Sequence, residues 1–301
     1  MNRRDFLQLA STSICGLTGC SFGDAPIGGA YPRNDLGIPP LFCTAYIDPS
    51  IMSQRGQEVE VAKFPLAIVP QANRTIDVQW RDAVKSLNPR ILLLAYQVSV
   101  EETTVPGPGH DRLRAADSAF ISHSDGSVPF STLRDGRRRR LFDPRSSQWQ
   151  DAFVEACSIV LHSYPYDGLF LDQCAVFSNM PSDFGEYAEM ESGLLSALRR
   201  ISAAAPRRVI IANSNVNYAM INGHMLENQP IRLLASSGGV NRQPRVNLFQ
   251  LLVPSDTLSS RVLSGIAVAA LRHGYFFGAT DSYQKVRWLP VHDEIMAAYN
   301  G

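Results

Sequence analysis

Eight short apolar runs, longer amphipathic stretches between them, and the lack of a glycine-rich turn after the first run predict an α/β fold. The expected architecture is a (β/α)8 TIM barrel with some degenerate helices and a long loop after the third strand. The runs are LFCTAYID (41–48), FPLAIVP (64–70), RILLLAYQVS (90–99), DGLFLD (167–172), RVIIANSN (208–215), HMLENQ (224–229), NLFQLLVP (247–254) and GYFFGATD (274–281). Several are continuously apolar, as parallel strands covered on both faces require. An open dinucleotide-binding sheet would carry a Gly-x-Gly-x-x-Gly turn after its first strand, and none is present.

Taken in order, the stretch between the first two runs, 48–64, shows no clear helical period. After the second run, Trp80, Ala83, Val84 and Leu87 share one face, and Asn88-Pro89 stops that helix before the third strand. Residues 101–141 then break the rhythm, from EETTVPGPGH through SHSDGSVPF to four consecutive arginines at 137–140. A loop of that length in a compact barrel is usually functional. The arginines read as a solvated flank, because no second basic run or interleaved aromatics accompany them. Trp149, Phe153, Cys157 and Val160 stripe the helix before the fourth strand, and Met190, Leu194, Leu198 and Ile201 the helix after it. The connection 230–246 is short and rich in Gly, Asn and Pro. A last helix is expected over 258–271, with Ser255 or Asp256 as N-cap and Gly274 beyond its end.

The bulk composition narrows the partners. A chain of 301 residues, 45% hydrophobic and 19% charged, is not disordered. Lys plus Arg balances Asp plus Glu at 28 each, so nothing calls for nucleic acid or an acidic membrane surface. The first twenty residues, MNRRDFLQLASTSICGLTGC, are of another kind. Arg3-Arg4, Phe6-Leu7 and a weakly apolar run too short to span a bilayer resemble a bacterial twin-arginine export signal. LTGC (17–20) resembles a lipoprotein lipobox, which would make Cys20 the lipidated residue; the alternative is an ordinary secretory signal with a chance Cys. The expected organisation is a signal over 1–19, a tether rich in Gly and Pro over 20–40, and a barrel over 41–301. Such a chain would be an exported lipoprotein of the bacterial cell envelope, held to a membrane through Cys20. Of the remaining cysteines, Cys157 falls on a helix stripe, while Cys43 and Cys174 sit near two strand ends, where one disulfide could form.

In a barrel of this kind the functional groups stand at the C-terminal ends of the strands. The last polar residues of the runs are Tyr46 and Asp48, Gln71, Tyr96 and Gln97, Asp172 and Gln173, Asn213 and Asn215, Glu227 and Asn228, Gln250, and Asp281 with Tyr283. Apart from the acids these are amides and phenols, the chemistry that reads sugar hydroxyls, and two carboxylates serve glycosidic cleavage. No Ser-His-Asp order, nucleophile elbow or two-His-plus-carboxylate cluster is present, so no metal and no cofactor are expected.

LFDPRSSQWQDAFVEACSIVLHSYPYDGLFLDQ (141–173) resembles a stretch of bacterial glycoside-hydrolase-like barrels, in which Asp-Pro precedes an amphipathic helix and then (F/Y)DG(V/L)F(L/F)D. The family is related to endo-α-1,4-polygalactosaminidases and to the hydrolase domains of exopolysaccharide-modifying proteins. The resemblance implies Asp172 as nucleophile and Glu227 as acid/base, with Asp281 the reserve acid. Tyr46, Asp48, Tyr96, Gln97, Gln173, Asn213, Asn215, Gln250, Asp281 and Tyr283 are the expected substrate-binding residues. Asp143 beside Pro144 reads as a turn residue or helix N-cap, and Asp167 beside Gly168 as a turn residue. The expected activity is two-carboxylate hydrolysis of an envelope or extracellular polysaccharide. A barrel that kept the cleft but lacked the second acid would bind glycan without cleaving it, and the carboxylate separation distinguishes the two.

Overall fold

The computed structural model describes residues 34–45, 56–72, 75–116, 119–121, 130–132, 138–175, 187–214, 218–228, 241–253, 260–280 and 285–300. In chain order the elements are β1 (Phe42–Thr44), α1 (Gln57–Ala62), β2 (Leu66–Val69), α2 (Thr75–Leu87), β3 (Leu92–Val98), α3 (Pro108–Arg114), β4 (Phe130–Thr132), β5 (Arg138–Arg140), α4 (Ser147–Ser163), β6 (Gly168–Asp172), α5 (Tyr187–Ala204), β7 (Val209–Asn213), β8 (Gly223–Glu227), β9 (Asn247–Leu252), α6 (Ser260–Arg272), β10 (Tyr275–Thr280) and α7 (Pro290–Asn300). Eight strands run parallel in the order β1-β2-β3-β6-β7-β8-β9-β10. A parallel bridge between Leu41 and Phe277 joins the two ends into a nearly closed barrel. All eight correspond to the eight apolar runs, and β4 and β5 form a separate antiparallel hairpin.

The strand alternation decides which groups reach the barrel interior. One apolar cluster, with Phe42, Ile68, Leu94, Phe170, Ile211, Met225, Leu248 and Phe276, fills the inside. A second, with Leu169, Leu171, Trp149, Phe153 and Val84, lies between strands and helices. Side chains two apart on a strand share a face. Asp172 therefore points inward two residues after Phe170, Asn213 after Ile211, Glu227 after Met225 and Gln250 after Leu248.

The Asp-Gly that opens β6 has a structural reason at both positions. Asp167 Oδ2 accepts from Leu93 N at 2.8 Å and from Lys85 Nζ at 2.7 Å, tying β6 to β3 and α2. At Gly168 an added Cβ would collide with the carbonyl oxygen of Val209 on the adjacent strand. Asp143, the other carboxylate of the motif, is held by Arg145 through Nε and Nη2, while the N-cap of α4 is Ser146, whose hydroxyl accepts from Trp149 N.

Several features depart from the sequence reading. The stretch before the second strand contains α1, whose six residues bury only Gln57 and Val61 and are too few to show a period. The last residues assigned to the tether pack on the floor of the barrel: Leu36 and Ile38 lie against the inner cluster, and Asp35 Oδ2 accepts from Arg245 N at 2.8 Å. Cys43, Cys157 and Cys174 are free and buried. Cys43 and Cys174 belong to β1 and to the end of β6, with β2 and β3 between, a lateral span of about 14 Å at about 4.8 Å per strand that far exceeds disulfide reach. Of the four consecutive arginines, Arg139 and Arg140 are not a solvated flank, while Arg137 and the Arg138 side chain lie outside the described residues. Arg139 pairs with the buried Glu101, and Arg140 makes a two-pronged contact with Glu102 at 3.0 and 2.6 Å while its guanidinium lies 3.8 Å above the Phe120 ring.

Gly168→Ala is expected to force β6 and β7 apart and to destabilise the fold by roughly 3 kcal/mol, the upper range for overpacking. Chemical denaturation of variant and wild type checks this, and a change under about 0.5 kcal/mol, within the range of an ordinary surface substitution, would refute the close approach.

Candidate active site

At the C-terminal end of the barrel, inward-facing residues of four adjacent strands meet. Asp172 is only 8% exposed, yet its carboxylate is not stranded. Tyr96 Oη donates to Oδ2 at 2.7 Å, while Oδ1 accepts from Asn213 Nδ2 at 2.8 Å and from its neighbour Gln173 N at 2.9 Å. Three donors compensate the loss of water that burial imposes on a charge. The Asn213 amide also reaches Glu227 Oε2 at 3.2 Å. One nitrogen thus touches both carboxylates, so their nearest oxygens stand no more than about 6 Å apart.

The backbone turns sharply straight after each carboxylate. Gln173 and Asn228, the residues that follow Asp172 and Glu227, have φ of 50° and 53°, the only positive values outside glycine among the described residues. Asparagine accepts the left-handed region readily and glutamine less so. At Gln173 the turn accompanies the N–H bond to Asp172. At Asn228 the side chain accepts from Leu252 N at 2.7 Å and the backbone N donates to Gln250 O at 2.9 Å, fixing β8 to β9. Such conformations cluster where geometry is held for function.

Behind Tyr96 lies the long insertion after β3. The Tyr96 ring stacks on Phe170 at 6.3 Å and meets His110 of α3 edge-on at 5.7 Å. His110 Nε2 accepts from Val98 N at 3.1 Å, and burial pushes this imidazole down to about 3, so it is a neutral ring. Burial, reinforced by the Asp172 charge, holds the Tyr96 phenol well above its ordinary value, so the hydroxyl keeps its proton and is the donor. Sequence reading missed His110 and α3. The available signal was Pro108 at the start of the helix after Gly107, a common helix entry.

The expected site residues divide into three groups. Asp172, Glu227, Asn213, Tyr96 and Gln173 come together, although Tyr96 and Asn213 engage carboxylates instead of standing free for substrate. Gln97 does not line the mouth. It is fully buried on the helix-facing side, where its Oε1 accepts from Gln71 Nε2 at 2.8 Å and its own Nε2 donates to Val98 O at 2.7 Å. Alternation explains the correction: with Tyr96 inward, Gln97 must face outward. Gln250 points inward beside Glu227 in register, with Oε1 buried and unpaired. Tyr46, Asp48, Asn215, Asp281, Tyr283 and Cys20 lie outside the described residues. Among the described residues no group of three or more His, Cys, Asp or Glu could hold a metal ion.

The class that the strands define is a (β/α)8 barrel, with two inward carboxylates sharing one amide donor at the C-terminal end of its strands. Solved structures agree at the level of fold. The glycoside hydrolase domain of PelA from Pseudomonas aeruginosa is 13% identical with a TM-score of 0.54, covering 82% of this chain and 96% of that one. An α-galactosidase from Thermus thermophilus is 12% identical with a TM-score of 0.57, covering 90% and 63%. A maltogenic α-amylase from Thermotoga neapolitana is 11% identical with a TM-score of 0.52, covering 87% and 75%. Neither a protein-family model nor a curated protein sequence matches the chain.

The neutral His110 has a stability consequence. Its folded value, about 3, lies below the ordinary imidazole value near 6.5 that applies in the unfolded chain. Between these values the unfolded chain binds a proton that the native one excludes, so stability falls as pH drops through about 6.5 toward 3. In His110→Gln this contribution disappears. Between about pH 7 and 4.5 the variant should lose about 2.5 kcal/mol less stability than wild type; identical losses in urea titrations would contradict a neutral His110.

Proposed function

We propose that the protein is a retaining glycoside hydrolase acting on an envelope or extracellular polysaccharide. The observation that carries this reading is the Asn213 amide in contact with both Asp172 and Glu227. Retaining enzymes set their carboxyl groups about 5–5.5 Å apart, whereas inverting ones leave about 6.5–9.5 Å for a water. Nearest oxygens within about 6 Å suit the first geometry better. Asp172, tied by three donors, suits the fixed nucleophile: its oxygen bonds to the anomeric carbon as the glycosidic C–O bond breaks. Glu227, the more exposed of the two, gives its proton to the leaving oxygen and then takes one from the water that releases the sugar. The glycoside hydrolases that share the fold support this reading, as does the family signature that ends on Asp172.

Asp172→Asn is expected to abolish release of oligosaccharides from a polysaccharide panel that includes the producing cell's own exopolysaccharide. Glu227→Gln is expected to lower it by at least about 100-fold, the scale of a lost general acid. Proton NMR of the first-formed product should show the anomeric configuration of the substrate. Full activity of Asp172→Asn, or no cleavage by wild type, would overturn the reading.

The export signal and the lipobox-like LTGC support a lipid-anchored protein of the bacterial cell envelope, with Cys20 as the modified residue. In cell fractionation, Cys20→Ala should move the protein from the membrane to the soluble fraction, and an unchanged distribution would refute the anchor.

A further inference from the structure

We infer that Tyr96, expected from its strand-end position to touch substrate, is a positioning residue: its hydroxyl sets the charge state and orientation of Asp172, and the insertion after β3 holds its ring. The inference builds on the role proposed for Asp172, but its first test does not need that role. Two features of the carboxylate lead here. Oδ1 accepts two hydrogen bonds, from Asn213 and Gln173, whereas Oδ2 accepts one, from Tyr96. Each carboxylate oxygen offers about two lone-pair sites. Oδ2 is therefore the oxygen with an acceptor site left over, and it is the one that can attack. Tyr96 is the single protein donor on that oxygen among the described residues.

The Tyr96 ring is held independently of the bond it makes. Phe170 stacks on it from β6, and His110 meets it from α3. Among the described residues, the charged groups acting on the phenol include Asp172 of β6, Arg139 of β5 and Glu101 just beyond β3, the last two paired with each other at 3.4 Å. Arg139 and Glu101 act on the phenol in opposite directions, and Asp172 is the strongest of the three charges. The neutral His110 ring supplies contact without adding a charge. Thus α3 of the insertion packs on the Tyr96 ring, β5 brings the Arg139 charge near it, and the phenol in turn holds the carboxylate.

The test is a direct titration of the Asp172 carboxyl by carbon-13 NMR on the full chain, with the signal assigned by its loss in Asp172→Asn. A donor on the ionised form favours that form, so Tyr96→Phe should raise the Asp172 titration midpoint by about one pH unit or more, the scale of a hydrogen bond to a charged group. Tyr166→Phe is the control. Tyr166 is also buried and hydrogen-bonded, to Ala72 N and Pro70 O, and its loss should leave the midpoint in place. If Tyr96→Phe fails to fold, 3-fluorotyrosine at position 96 keeps the ring and strengthens the donor, and the midpoint should move down. An unchanged midpoint in the folded Tyr96 variant, or an equal shift in the Tyr166 control, overturns the inference. On a glycan that wild type cleaves, Tyr96→Phe should lower kcat about 10- to 100-fold, the rate equivalent of such a bond, with KM within about threefold. A kcat within twofold of wild type would also overturn it. A wild type that cleaves nothing would sink the hydrolase reading alone, because the midpoint comparison stands without turnover.

Discussion

A carboxylate that is nearly buried must be hydrogen-bonded or it will not stay charged, and the upper end of this barrel is organised around meeting that requirement for Asp172. The strand that carries it cannot do so alone. One donor comes from β3, one from β7, and one from the backbone immediately after Asp172. Each donor depends on structure farther away. Tyr96 is held by Phe170 and His110, Asn213 must lie two residues after Ile211 to face inward, and Gln173 must adopt a left-handed turn. Hence strand register and the insertion both converge on one side chain.

The insertion, the part of the chain least like a regular barrel, is tied down at both ends. Glu101 and Glu102 leave β3 and meet Arg139 and Arg140 on the returning hairpin, while Glu101 and Leu141 form an antiparallel bridge. Exposed ion pairs contribute little, but here Glu101 is buried and the Arg140 contact is two-pronged over an aromatic ring, which makes the closure specific. Between these ends α3 packs against α4 and brings His110 against the Tyr96 ring.

The eight strands were legible because each is a compact apolar run bounded by polar or turn residues, and strand ends pointed directly to Asp172, Asn213 and Glu227. What a continuously apolar strand hides is its phase. In LLLAYQV nothing in the letters says whether Tyr96 or Gln97 faces the barrel axis, and the two differ completely in role. Phase becomes visible only once the inner cluster is known. Pairings across the insertion were hidden for another reason: Glu102 and Arg140 are 38 positions apart, and no local period links them. Complementary Glu-Glu and Arg-Arg pairs at the two ends were the faint signal. The short helices α1 and α3 have six and seven residues, less than two full turns, so they leave almost no stripe.

The left-handed residues after Asp172 and Glu227 separate two kinds of sequence constraint. Up to each turn, the chain is bound to neighbouring strands and its side chains have a fixed phase. Past the turn, that phase is reset, and the spacing between the acids is independent of the residues downstream. The sequence beyond Gln173 and Asn228 can therefore diverge in length and composition while the carboxylate pair stays where the strands put it. A scaffold built this way can vary what surrounds the strand ends without moving the two carboxylates they carry.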